Sequence, residues 1–302
     1  MTIFATVLRA TVSAVVLATA PQVATAVAEP APIQLPWQSP GPGGVRATAA
    51  QLAEGFTGAM LWSREPHTRL PIASLTKVMT AVVVLDANDP DRPITVPAEA
   101  IAYCARHDGS TAGLAPGEVL SARQLLYALL LPSGCDAAFT LADAFGPGYD
   151  GFVAKMNDTA RRMGLTESGF ADPSGLPTPT DYSTYSTVSD LVRLGMRAMA
   201  MPAFRETVAA PTHHVPAGPA NREHFWETTN LLLGDYPGTV GIKTGFTDAA
   251  GTCLLFETVR AGIPLIGVVL HSAPNSDLAA KDDAERMLNW GYGPILSVLP
   301  IG

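Results

Sequence analysis

Ser74, Leu75, Thr76 and Lys77 place a hydroxyl and an amine three residues apart. On a helix those two positions share a face, so the amine can reach the hydroxyl. A serine hydroxyl is a weak nucleophile until a base takes its proton. Lys77 can be that base when it is uncharged, and two features lower a lysine pKa: the positive end of a helix dipole and a second cation across the site. The same helix end can also stabilise an oxyanion. Lys243-Thr244-Gly245 supplies such a cation, a hydroxyl able to bind a carboxylate, and a glycine that lets a ligand approach the backbone closely. Ser133-Gly134-Cys135 offers a third hydroxyl, suited to relaying a proton between Lys77 and a leaving amine. Singly, these patterns also describe a surface turn, a strand end and a helix-to-helix turn. Their occurrence together in this order carries the chemistry.

The elements that must position these groups change character along the chain. Ala73 to Leu85 is apolar nearly all round, as in a helix buried in the middle of a protein. Phe56 to Trp62 has strand-like content broken by Gly58. Helices are expected from Ser121, a capping residue, to Leu131 before Pro132; from Asp136 to Phe145; from Asp150 to Met163 before Gly164; and from Ser186 to Met201 before Pro202. The last third reads as strands: Thr239 to Thr244, then Thr252 to Arg260 and Pro264 to His271 turning at Ala261-Gly262. A final helix runs from Ser276 to Trp290. The order predicts an α+β fold, an antiparallel sheet flanked by helices with an all-helical subdomain over about residues 86–200.

Of the 302 residues 47% are hydrophobic, enough for one large core or two modest ones, and the net charge of -8 is spread along the chain. There is no basic stripe interleaved with aromatics, which argues against a nucleic-acid partner. Arg9, the uncharged stretch Thr11 to Ala20, and Ala24-Thr25-Ala26 or Ala26-Val27-Ala28 fit a secretion signal over residues 1–28. Thr11, Ser13, Thr19, Pro21 and Gln22 interrupt that stretch, whereas a membrane span needs about 20 predominantly apolar residues. A Pro-rich linker is expected over residues 29–54 and the folded domain over residues 55–302. No membrane anchor is expected after signal cleavage, and the mature protein is expected in the periplasm, the cell-wall zone or the medium.

The three motifs in this order resemble the penicillin-binding proteins and class A β-lactamases. Their flanks, Ala73-Ser74-Leu75-Thr76-Lys77-Val78-Met79-Thr80 and Gly241-Ile242-Lys243-Thr244-Gly245-Phe246-Thr247, are similar to the low-molecular-mass D-alanyl-D-alanine carboxypeptidases. So are Asp172-Pro173-Ser174-Gly175-Leu176, Tyr185-Ser186-Thr187 and Asp190-Leu191, and the resemblance spans Gly55 to Gly291. It implies a β-lactamase/transpeptidase-like fold and peptidoglycan stem peptides ending in D-Ala-D-Ala as substrate. It implies β-lactam antibiotics as covalent inhibitors, and neither metal nor organic cofactor. Ser74 would attack the penultimate D-alanine carbonyl, Lys77 would be the general base, and Ser133 would pass the proton to the leaving nitrogen. Lys243 and Thr244 would hold the terminal carboxylate, beside Gly245. The backbone N–H groups of Ser74 and Phe246 would form the oxyanion hole.

The chain departs from that pattern in two places. The family carries Asn where Cys135 stands, and a thiol hydrogen-bonds far more weakly than an amide. In an exported protein Cys135 can instead pair with Cys104, closing a loop over the site. A Cys135–Cys253 pair and three reduced thiols are the other arrangements open. Many relatives also have an arginine after the late hairpin, where this chain reads His271-Ser272-Ala273-Pro274-Asn275. A β-lactamase of the same fold is one competing reading. None of Glu167, Glu206, Glu223 and Glu227 stands in an E-x-x-L-N pattern for a deacylating water. A non-catalytic wall-binding module is another, favoured by Cys135 and opposed by the four intact polar residues. His213-His214 raises a metal site, but neighbours on a strand face opposite ways.

Overall fold

The computed structural model describes residues 40–274 and 276–297. The expected signal segment lies outside them. The chain begins with the hairpin β1 (Ala49–Glu54) and β2 (Met60–Arg64), then the short β3 (Leu70–Pro71). A 3₁₀ turn at Ala73–Leu75 runs into α1 (Thr76–Asp86). There follow β4 (Pro93–Thr95), α2 (Ala98–Arg106), β5 (Val119–Ser121), α3 (Ala122–Leu130), α4 (Cys135–Phe145) and α5 (Gly148–Arg162). Next come β6 (Tyr185–Ser186), α6 (Val188–Met199), α7 (Pro202–Ala209) and the small hairpin β7 (Thr212–Val215) and β8 (His224–Glu227). The chain closes with β9 (Thr239–Thr247), β10 (Gly251–Arg260), β11 (Ile263–Leu270) and α8 (Asp277–Ser297).

Five strands form one antiparallel sheet in the order β2-β1-β11-β10-β9. Side chains alternate across a strand, and β10 divides accordingly. Leu254 and Phe256 face a layer with Met287, Leu288 and Tyr292 of α8. Cys253 and Leu255 face the larger core, which includes Val188 and Leu191 of α6 and most of α1. Helix α1 is therefore enclosed: Thr76 to Val84 are all buried. That explains why its sequence lacks a polar face. The fold is the expected α+β arrangement, with one qualification. The helical region also contains strands: the β4–β5 ladder, which pairs Pro93–Thr95 with Val119–Ser121, and the short β6, which pairs with β3.

The linker expected to reach Glu54 ends earlier. Val45 and Ala47 are buried, and Ala49–Glu54 is a central strand of the sheet, paired with β11 on one side and β2 on the other. The backbone N–H groups of Arg46 and Ala47 donate to the Asp283 carboxylate on α8 at 2.9 and 2.8 Å. The segment is rich in alanine, a poor strand former in isolation. Its conformation comes from ladder pairing and from burial between helices. Helix α3 starts at Ser121 as expected, with a full capping box to Gln124. Helix α6 is capped instead by Thr187, one residue after the expected start, whose hydroxyl accepts from the Asp190 N–H. The expected strand Phe56 to Trp62 is instead the β1–β2 turn plus the start of β2. Among the described residues no helix is long and apolar enough to cross a membrane.

Candidate active site

Ser74 lies in the 3₁₀ turn and Lys77 in the first turn of α1. Lys77 Nζ is 2.8 Å from Ser74 Oγ and donates to the Ser174 carbonyl at 2.8 Å. The amine is thus fixed between the hydroxyl and a carbonyl 97 residues away in sequence. The backbone entering the turn is unusual: Ala73 has φ +45, in the left-handed region. Gly175 packs directly on it, and a Cβ there would lie 1.9 Å from the Ala73 carbonyl oxygen. Only glycine permits this approach.

Strand β9 forms the opposite wall. A Cβ on Gly245 would lie 3.2 Å from the Ser74 nitrogen and 3.1 Å from the Ile72 oxygen, so the strand edge passes close to the Ser74 N–H. Lys243 is buried, with Nζ donating to the Thr244 carbonyl at 3.1 Å. The Thr244 hydroxyl is 2.6 Å from that of Thr229, on the chain after β8. Phe246 stands 44% exposed on the rim, which leaves its ring available to a ligand.

The third wall is the α3–α4 turn. Ser133 is buried with φ +66, and among the described residues its Oγ has no hydrogen-bond partner. The turn is pinned by Ser110, whose hydroxyl donates to the Ser133 carbonyl at 2.7 Å and whose carbonyl accepts from the Cys135 N–H at 2.7 Å. Asp136, fully buried, accepts from Thr111 Oγ1 and from the N–H groups of Ala112, Leu114 and Ala137. The loop after α2 is thereby fixed to the start of α4. Cys135 is joined to Cys104 by a disulfide, and Cys253 is buried and free. As a disulfide sulfur, Cys135 lines the cleft without the hydrogen-bonding groups of the family's Asn.

The three walls enclose a cleft of about 640 Å³ that contains Ser74, Lys77, Ser133, Thr229, Thr244 and Gly245. The sequence motifs therefore meet in one place. Sequence reasoning missed Thr229 and the support from Ser110 and Asp136, because none of them stands in a spacing that signals chemistry. The adjacent histidines face apart. His213 stacks on Tyr127 with centroids 3.6 Å apart, and His214 Nε2 lies 2.9 Å from Glu223 Oε1.

The electrostatics favour proton transfer. Burial pushes the Lys77 amine down from its ordinary value to about 8, opposed by the negative charges of Asp172 and Asp136. Burial, and then the Lys77 cation, hold Lys243 well below the ordinary lysine range. Two amines enclosed together resist being charged at the same time, so an anion that favours charge on one also favours neutrality of the other.

The disulfide closes a loop with a sequence separation of 31. Removing it with Cys104→Ser is expected to lower stability by about 3–4 kcal/mol in the chain-entropy picture. Urea unfolding of the variant, and of the wild type with and without a dithiol reductant, measures this. Superimposable curves would show that the bond constrains little.

A serine hydroxyl paired with a buried lysine at the foot of a helix, facing a Lys-Thr-Gly strand edge on an α+β frame, defines a serine acyl-transfer enzyme of the penicillin-binding type. The comparisons agree. The family described as D-alanyl-D-alanine carboxypeptidase matches residues 37–274. The crystal structure of the Streptomyces K15 DD-transpeptidase superposes with a TM-score of 0.79 at 34% identity, covering 84% of this chain and 100% of that one. A D-alanyl-D-alanine carboxypeptidase of Mycobacterium tuberculosis is 36% identical over 247 residues, covering 80% of each chain. A D-alanyl-D-alanine endopeptidase of Pseudomonas aeruginosa is 32% identical over 244 residues, covering 80% of this chain and 76% of the relative. The chain belongs to the D-alanyl-D-alanine carboxypeptidase family, and it is a serine-type hydrolase of that family.

Proposed function

We propose that Ser74 is the acylated nucleophile of an exported enzyme that trims terminal D-alanine from peptidoglycan stem peptides. The observation that carries this reading is the 2.8 Å approach of Lys77 Nζ to Ser74 Oγ, with the amine buried and held from behind by the Ser174 carbonyl.

The terminal carboxylate of the substrate docks against Lys243 and the hydroxyls of Thr244 and Thr229. Its negative charge favours the ammonium form of Lys243, and that cation in turn favours neutral Lys77. Binding thus readies the base. Ser74 Oγ attacks the penultimate D-alanine carbonyl carbon, and its proton passes to Lys77 Nζ. The negative charge that develops on the carbonyl oxygen meets the N–H groups of Ser74 and Phe246. Loss of one such donor costs about 3–4 kcal/mol of barrier. The C–N bond then breaks, and Ser133 Oγ relays the proton from Lys77 to the leaving amine, releasing D-alanine. Water attacks the ester and returns the hydroxyl to Ser74. That the Ser133 hydroxyl has no hydrogen-bond partner among the described residues supports its place in this relay. Ser133→Ala is expected to slow D-alanine release by about 10²-fold or more, read in a D-Ala-D-Ala peptide assay. An unchanged rate would assign the relay elsewhere.

A β-lactam presents a carboxylate and a strained amide to the same groups, and its amine stays tethered after the ring opens. No glutamate lines the cleft among the described residues, and Glu167 and Glu223 are engaged with His67 and His214. This supports slow deacylation. Penicillin treatment followed by peptide mapping should find a long-lived adduct on Ser74. A burst followed by rapid β-lactam turnover would favour a β-lactamase instead.

A further inference from the structure

We propose that Asp172 is a positioning residue that sets the working protonation of Lys77, held in place for that task by the hydroxyls of Tyr103 and Tyr149. The inference rests on Lys77 being the base that activates Ser74.

The Asp172 carboxylate is fully buried. One oxygen accepts from Tyr103 Oη at 2.6 Å and Tyr149 Oη at 2.7 Å. The other accepts from Ser174 N at 2.7 Å, Ser174 Oγ at 2.5 Å and Leu176 N at 3.0 Å. All five donors are neutral, and both oxygens are occupied as acceptors. An asparagine could accept at only one of its two terminal atoms, so the pocket is built for an anion. These donors satisfy both carboxylate oxygens without a cation in contact. The phenols are suited to the role: burial and then the Asp172 charge push both Tyr103 and Tyr149 upward, so they remain protonated donors.

The anion is linked to the base by a short covalent and hydrogen-bonded path. Asp172 binds the N–H of Ser174, and the carbonyl of Ser174 receives the Lys77 amine. The same carboxylate therefore shapes the loop that orients Lys77 and favours its ammonium form through space. Helix α2 ties this arrangement to the rest of the cleft. Tyr103 holds Asp172, while the next residue, Cys104, is bonded to Cys135 beside Ser133. The other charged or titratable groups around Lys77 are Asp136 on α4 and Lys243 on β9, with His107 and Asp108 lining the cleft after α2. Asp172 and Asp136 oppose the burial that neutralises Lys77, and Lys243, once charged, reinforces it.

The test is the pH dependence of Ser74 acylation by a chromogenic β-lactam, with the adduct mapped and thermal stability measured in parallel. In Asp172→Asn the acid limb should move to lower pH by roughly one unit, with Ser74 still labelled. Tyr149→Phe removes a dipole that damps the carboxylate's field, so the limb should move the opposite way; this second variant serves if the first does not fold. A loss of stability with the limb unmoved in either variant would make Asp172 purely structural and overturn the inference. Failure of the underlying reading looks different: the wild type itself would show no acid limb, or its adduct would map away from Ser74.

Discussion

Ser74→Ala is expected to lower D-alanine release by about 10⁴-fold or more, the scale on which removal of a serine nucleophile acts, and to abolish the covalent penicillin adduct. Other hydroxyls do line the cleft, at Ser110, Ser133, Ser174, Thr229, Thr244 and Thr247. None has the environment of Ser74. Ser110 is engaged with the Ser133 carbonyl, and Thr229 and Thr244 bind each other. Among the described hydroxyls of the cleft, only that of Ser74 has a buried amine 2.8 Å away together with backbone N–H groups at its own turn. Its side chain makes one hydrogen bond to Lys77, which keeps its second acceptor, the Ser174 carbonyl, when the hydroxyl is removed. Folding should therefore survive, with the melting temperature near that of the wild type. Mass mapping decides the matter: an adduct that persists in Ser74→Ala, for example on Ser133, would displace Ser74 from its role.

Lys77→Met carries the second large effect. The side chain keeps a similar length and an apolar stem but has no basic nitrogen. Without it the Ser74 proton has no acceptor in reach, and acylation should fall by about 10²–10⁴-fold, the range for general-base catalysis. Stability should not fall with it. The amine is pushed down to about 8 by burial, so the unfolded chain binds more protons than the folded chain between that pH and the ordinary lysine range. Stability from this group therefore rises with pH across that window, and at neutral pH the buried amine is a liability that methionine removes. Activity and stability are thus predicted to separate, whereas a purely structural lysine would lose both. In the wild type, acylation should increase as pH rises through about 8, while Lys77 gives up its proton. A flat profile would require a different base.

These outcomes depend on features that differ in how far the chain reveals them. Ser74 and Lys77 are separated by less than one helical turn, so their contact follows from local geometry. The Ser121 cap and the Ala261-Gly262 hairpin are equally local, and the structure keeps both. Strand β1 was hidden because alanine disfavours strands in isolation, and pairing with β11 and β2 gives Ala49–Glu54 its conformation. Thr229, on the chain after β8, was hidden because its meaning comes from a hydroxyl 15 residues away on β9. Asp172 stood within a segment that resembled the family, but no spacing indicates that Tyr103 and Tyr149 converge on it.

The sequence by itself determined the motifs that line the cleft, the α+β class and the presence of cysteines able to bridge, because motif spacing and side-chain periodicity act over a few residues. Tertiary structure decided which cysteine faces Cys135, what holds Lys77 from behind, and which buried anions act on its proton. Those depend on atoms brought together from segments 31 to 97 residues apart, where chain connectivity imposes almost no constraint and packing selects the partner.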